Sequence, residues 1–270
     1  MERFSSDHIT PNWLLVLGCP RSGTTLLNVL LNTSNDILIS NETNLVNAVN
    51  CLKLIFQRER KLNAIRERAR TENDIFLYSQ IDEFVLKSSR GIPDMLRAMY
   101  QGLNGSKTPK FFGDKLPTYY KEDLSDLYAV TKFRIIFVSR NPHDVVRSMM
   151  FRAENARGKR DHWSFARTPE QGIIEWVSAV RFAATCRYEK LIVRYEDLVF
   201  NSEATASVIA EFLKVENSFN LDIIRRGHKV SDKQYNIINS NLPFGEIAKS
   251  WCELSIGDVY ERISKYPKGK

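Results

Sequence analysis

Trp13-Leu14-Leu15-Val16-Leu17-Gly18-Cys19-Pro20-Arg21-Ser22-Gly23-Thr24-Thr25-Leu26-Leu27-Asn28-Val29-Leu30-Leu31 is the stretch around which the chain is organised. Its first five residues are apolar without alternation, the pattern of a strand covered on both faces in a parallel sheet. Gly18 to Gly23 is a tight turn with a glycine at each end. From Thr24 the pattern is helical, with Leu26, Leu27, Val29, Leu30 and Leu31 available for a buried side. A strand, a glycine-bounded loop and a helix start in this order cradle a phosphate. The unpaired N–H groups of the first helical turn point at the anion, and the helix dipole favours negative charge there.

The spacing fits the nucleotide-binding pattern G-x-x-x-x-G-K-[ST] at every place but one, where Thr24 stands for the lysine. That lysine serves the β/γ-phosphates of a nucleoside triphosphate, so its absence argues against ordinary ATP or GTP chemistry. Arg21 supplies a cation from within the loop, and its planar fork suits an anion with several oxygens. The plain alternative is an ordinary helix N-terminus of an α/β sheet.

A second junction has the same character. Phe133 to Val138 is a strongly apolar strand, Arg140-Asn141-Pro142 breaks it, and a helix restarts at Asp144, with Pro142 and Asp144 as start signals. Arg140 leaves the carboxyl end of the strand, where α/β sheets bind ligands. Ser148 follows about two helical turns on, so a guanidinium and a hydroxyl can converge on one phosphate. A salt-bridged arginine at a sheet edge would read the same way.

Around these junctions, Asp36 to Ser40 reads as a short strand, Ile173 to Tyr188 as an amphipathic helix, Leu191 to Tyr195 as a third sheet strand and Ala204 to Leu213 as another helix. Such alternation predicts an α/β fold, three layers about a central parallel sheet, with a P-loop-like anion-binding loop after the first strand. One domain spanning 1–270 is expected, with a helical insertion over 45–105 and a lid-like loop over 153–172. The charge-dense Arg58–Arg70 stretch reads as a solvated helix face.

The 270 residues are 43% apolar and 26% charged, ordinary for a globular chain, and the net charge of +7 suits anionic ligands without choosing among them. No apolar run reaches membrane-spanning length, so a cytoplasmic chain is expected. Cys19, Cys51, Cys186 and Cys252 are scattered without a C-x-x-C pair, which gives no metal site and no disulfide framework.

Gly18-Cys19-Pro20-Arg21-Ser22-Gly23-Thr24-Thr25 resembles the 5′-phosphosulfate loop of sulfotransferases that use 3′-phosphoadenosine 5′-phosphosulfate (PAPS), most nearly the tyrosylprotein and related bacterial enzymes. The resemblance implies cofactor binding by Pro20, Arg21, Ser22, Gly23, Thr24 and Thr25. It implies that Arg140 and Ser148 hold the 3′-phosphate, that Arg152 assists them, and that Tyr195 contacts the nucleotide. It further implies Glu42, in Glu42-Thr43, as the base, with Arg21 and Lys115 on the leaving-group oxygens and Ser231 near the sulfuryl group. Asn44 departs from the arginine that the family carries after this threonine. The acceptor hydroxyl is then expected on a saccharide or glycolipid first, a peptidyl tyrosine second and a small molecule third. No nucleic-acid partner is expected, and the sequence leaves homo-oligomerisation open. The rival base is a histidine, His162 or His228. The rival functions are a P-loop kinase-like phosphotransferase and a non-catalytic nucleotide-binding protein.

Overall fold

The computed structural model describes residues 13–51, 109–156 and 168–224. Strand β1 (Trp13–Gly18) is buried along its whole length. Helix α1 (Thr24–Leu31) follows, then β2 (Ile37–Asn41), a helix that begins at Leu45, and β3 (Phe111–Lys115). A 3-10 turn over Pro117–Lys121 and helix α2 (Ser125–Val130) lead to β4 (Phe133–Ser139) and α3 (Pro142–Ala156). Helix α4 (Pro169–Thr185), β5 (Lys190–Arg194), α5 (Tyr195–Phe200) and α6 (Ser202–Leu213) complete the described elements.

The strands form one sheet in the order β2-β3-β1-β4-β5, every adjoining pair parallel. Alternation along β1 divides the core. Trp13, Leu15 and Leu17 pack with Phe133, Phe137, Met149 and Trp176 on one face. Leu14 and Val16 pack with Leu27, Leu30, Ile136 and Ile209 on the other. The unbroken apolar run of β1 thus fills two layers at once, as parallel strands covered by helices require. Each fully buried leucine or valine contributes about 1.5–3 kcal/mol of transfer free energy.

β3 carries no strand pattern in the sequence, yet it lies between β2 and β1. Its glycine is a steric requirement: a Cβ on Gly113 would stand 1.8 Å from the Leu14 carbonyl oxygen. Asp114 and Lys115 are its buried charges. Three other expectations shift. Helix α3 starts at Pro142 and runs through Arg152 to Ala156, and α4 starts at Pro169 behind a Thr168–Gln171 capping box. The expected lid over 153–172 is therefore helical at both ends, and its middle, 157–167, lies outside the described residues. Tyr195 opens α5 instead of ending β5. Of the 45–105 insertion, the described part is helix from Leu45 to Cys51. The Arg58–Arg70 stretch, Ser231, His162 and His228 also lie outside the described residues. Among the described residues no helix is long and apolar enough to cross a membrane.

Candidate active site at the carboxyl edge of the sheet

Each of the five strands ends at a residue singled out from the sequence. Glu42 follows β2, Lys115 closes β3, the Gly18–Gly23 loop follows β1, Arg140 follows β4 and Tyr195 follows β5. The chain leaves β1 toward β2 and leaves β4 toward β5, on opposite sides of the β1–β4 pair. That reversal opens a crevice beyond the strand ends, the usual ligand site of such sheets.

The loop is held by close approach. A Cβ on Gly18 would meet the Val138 carbonyl oxygen at 2.3 Å, and one on Gly23 would meet the Tyr195 ring at 2.4 Å. Gly23 has φ 98°, free for glycine alone, and Arg21 has φ 74°. A left-handed non-glycine residue costs about 1–2 kcal/mol. The Ser22 amide closes the turn onto the Cys19 carbonyl at 3.0 Å. Helix α1 has no side-chain cap and no acidic residue in its first turn. Pro20, Ser22 and Thr24 are buried, and among the described residues the Ser22 hydroxyl has no hydrogen-bond partner. Uncapped amides and an orphaned buried hydroxyl fit an oxyanion at this place.

Three arginines gather beside the loop. Arg21 Nε donates to Ser148 Oγ at 2.9 Å, and Arg140 donates to the Arg21 carbonyl at 3.3 Å. The Arg140 guanidinium lies 4.2 Å from the centre of the Tyr195 ring, within cation–π range. Burial, then the positive charges of Arg152 and Arg140, hold Arg21 below the ordinary arginine value. Arg21 is exposed by area, yet enough chain surrounds its guanidinium for desolvation to lead. Cations that destabilise one another in this way create demand for an anion. Neighbours fix the backbone: Trp176 Nε1 donates to the Arg140 carbonyl at 2.9 Å, and the Asn141 amide donates to Glu196 Oε1 at 2.8 Å. His143, half-buried on the same helix start, is held below its ordinary value chiefly by burial.

Next to the loop stands an ion pair. Lys115 Nζ is 2.7 Å from Glu42 Oε1 and 3.4 Å from Thr25 Oγ1. The lysine side chain is 1% exposed and the glutamate 51%, so Lys115 is no surface loop lysine. The Glu42 amide donates to the Lys115 carbonyl at 2.7 Å, extending the β2–β3 ladder by one bond. The structure thus brings together Pro20 to Thr25, Arg21, Glu42, Lys115, Arg140, Ser148 and Tyr195 at one edge, with the Arg152 charge felt at Arg21. Asp114, Trp176 and Glu196 carry no role in the sequence reading. Asp114 was visible only as the middle of Gly113-Asp114-Lys115, and Trp176 as one apolar position of an amphipathic helix.

A model described as "Sulfotransferase family" matches residues 12–219. Among solved structures, the sulfotransferase domain of an olefin synthase from Synechococcus PCC 7002 is 19% identical, with 97% of this chain and 98% of that one covered and a TM-score of 0.50. The sulfotransferase domain from the curacin biosynthetic pathway is 17% identical, with coverage of 95% and 93% and a TM-score of 0.47. A sulfotransferase from Mycobacterium avium is 14% identical, with coverage of 96% and 77% and a TM-score of 0.44. No curated protein matches the sequence. With the family model reaching from the start of β1 past the end of α6, and the anion-ready loop lying inside that match, the chain belongs to the sulfotransferase family.

Proposed function

We propose that the protein moves a sulfuryl group from PAPS to an acceptor hydroxyl, with a saccharide or glycolipid as the favoured acceptor class. The observation that carries the reading is the meeting of Arg21, Arg140 and Ser148 with an uncapped helix start and an orphaned Ser22 hydroxyl at the β1–β4 crevice. Two adjoining cationic sites suit a ligand with separate 5′ and 3′ anions, and the arginine-bearing loop without a lysine suits a phosphosulfate better than a triphosphate.

PAPS brings an activated sulfuryl group on a phosphate leaving group. The loop amides, Ser22, Thr24 and Thr25 would hold the 5′ end, Arg140 with Arg152 and Ser148 would hold the 3′-phosphate, and Tyr195 would contact the nucleotide. Glu42 takes the proton of the acceptor hydroxyl as its oxygen bonds to sulfur. Lys115 and Arg21 carry the charge left on the phosphate oxygen as the old S–O bond opens. Asn44, in place of an arginine, removes a cation that an acidic tyrosine peptide would use, which ranks a peptidyl acceptor below a glycan.

Calorimetric titration with 3′-phosphoadenosine 5′-phosphate (PAP), AMP and Mg·ATP tests the reading. Tight PAP binding, weaker AMP binding and no magnesium-dependent ATP binding are expected. A preference for Mg·ATP would overturn it in favour of a kinase-like phosphotransferase. Tight PAP binding without PAP release from PAPS across a panel of hydroxyl acceptors would favour a non-catalytic protein.

A further inference from the structure

Asp114 is fully buried, and a buried carboxylate persists only where donors surround it. Four do. Oδ1 accepts from the Ser40 hydroxyl at 2.6 Å and the Thr43 amide at 3.1 Å; Oδ2 accepts from the Asn44 amide at 3.1 Å and the Tyr119 hydroxyl. Two of these donors are the amides that directly follow Glu42. Glu42 and Asn44 have φ 62° and 61°, both left-handed. Asparagine tolerates that region, whereas glutamate stays there only when its surroundings over-determine it. On one side the Glu42 amide is tied to the Lys115 carbonyl. On the other, the Thr43 and Asn44 amides both donate to the Asp114 carboxylate. Alternation along β3 sends the Asp114 and Lys115 side chains to opposite faces, so one residue grips the turn's backbone and its neighbour grips the Glu42 carboxylate.

We propose that Asp114 is a positioning residue for the transfer step: its carboxylate fixes the Glu42–Thr43–Asn44 turn through two amides and thereby aims Glu42 at the acceptor hydroxyl. The proposal rests on Glu42 being the base. Tyr119 and Ser40 anchor the other lone pairs, so Asp114 cannot rotate away from the turn without leaving them unpaired. Burial, followed by the Asp114 charge, raises the Tyr119 phenol far above its ordinary value, which keeps it a donor.

Two variants test this. Asp114→Asn turns one acceptor oxygen into a donor that faces donors. Tyr119→Phe keeps the ring and removes one anchor. Amide hydrogen exchange at Thr43 and Asn44 should quicken about 10-fold or more in Asp114→Asn and about 3–10-fold in Tyr119→Phe, the scale of losing charged and single hydrogen bonds. Exchange at Ser22 to Thr25 should hold, and PAP affinity should stay within about threefold. Wild-type exchange at Thr43 and Asn44 in either folded variant overturns the proposal; this measurement needs no acceptor. Turnover, followed as PAP released from PAPS with a methyl glycoside as acceptor probe, should fall in kcat with KM for PAPS unchanged, and Asp114→Asn should add nothing in a Glu42→Gln background. Additive losses overturn the positioning role and leave Glu42 as the base. Near-wild-type turnover in Glu42→Gln alone overturns the base assignment and this proposal with it. Should Asp114→Asn fail to fold, Tyr119→Phe carries both measurements.

Discussion

Arg21 Nε donates to Ser148 Oγ at 2.9 Å, joining the first loop to α3 across 127 positions of sequence. The resemblance pairs Ser148 with Arg140; in the structure its hydroxyl meets the loop arginine, and Arg140 reaches the same loop through the Arg21 carbonyl. The loop after β1 and the junction after β4 are therefore mechanically one. Ser148→Ala should weaken PAP binding about 3–10-fold, the net value of a hydrogen bond at an accessible charged group. In an Arg21→Ala background the same change should cost less than in the wild-type chain, because only the direct contact of Ser148 with the ligand is then left to lose. Calorimetry on the four proteins of that cycle checks it, and fully additive losses would contradict the linkage.

Nucleotide choice should rest on Arg140. Its guanidinium is steadied by the Tyr195 ring and its carbonyl by Trp176. Arg140→Ala removes a charge-assisted contact worth roughly 1.5–3 kcal/mol. PAP affinity should drop about 10–100-fold, while AMP affinity, lacking the 3′ anion, should change far less. Equal losses for both ligands would detach Arg140 from the 3′-phosphate.

Stability should fall at alkaline pH for a local reason. Burial leads the rise of the Tyr119, Tyr120 and Cys19 values, with the Asp114 carboxylate, the Cys19 thiol and the Glu175 carboxylate second in turn. A group whose folded value is raised favours the folded state below its unfolded value and loses that contribution as pH climbs beyond it. The unfolded chain releases these protons from about pH 8.5 for cysteine and about pH 10 for tyrosine, whereas the folded chain keeps them. Urea midpoints should hold between pH 7 and 8 and decline increasingly above those values. Tyr119→Phe and Tyr120→Phe should each flatten the tyrosine part of that decline. An unchanged slope in both variants would show that other groups govern it.

What could be read from sequence follows from how each element is specified. β1 and β4 are long apolar runs that only a doubly covered strand explains, so they and the junctions after them are legible. β3 is not: Phe111-Phe112-Gly113-Asp114-Lys115 puts a glycine and two charges in the sheet. Its burial is bearable because Asp114 has four donors and Lys115 pairs with Glu42, partners 70 or more positions away for all but Tyr119. Local pattern carries no trace of such compensation. The 153–172 stretch misleads for the opposite reason: its polar composition reads as loop, while the Thr168–Gln171 capping box and Pro169 start a helix inside it.

Gly23 should tolerate no side chain. Gly23→Ala combines a left-handed φ of 98° with a Cβ placed 2.4 Å from the Tyr195 ring. Strain of about 1–3 kcal/mol and displacement of Tyr195 should together lower the melting temperature and weaken PAP binding. Adding Tyr195→Ala should recover part of the stability, because it lifts the clash and leaves the backbone strain. Absence of any recovery would mean that the backbone alone dictates glycine there.

Glu42 should decide the chemistry. Alcohol hydroxyls are poor nucleophiles near neutrality, and a positioned base contributes about 10²–10⁴ in rate. Glu42 stands at the carboxyl edge, half-exposed, with one oxygen held 2.7 Å from Lys115 Nζ and its backbone locked by β3. Glu42→Gln keeps the shape and removes the proton acceptor. Turnover should fall by about that factor, while PAP affinity stays within about threefold, less than 1 kcal/mol. Lys115→Ala should behave differently: it removes charge from the leaving-group side, and it also releases Glu42, so both kcat and PAP affinity should fall. If Glu42→Gln keeps near-wild-type turnover while His162→Ala or His228→Ala loses it, the proton goes to an imidazole and the carboxylate serves only to hold Lys115.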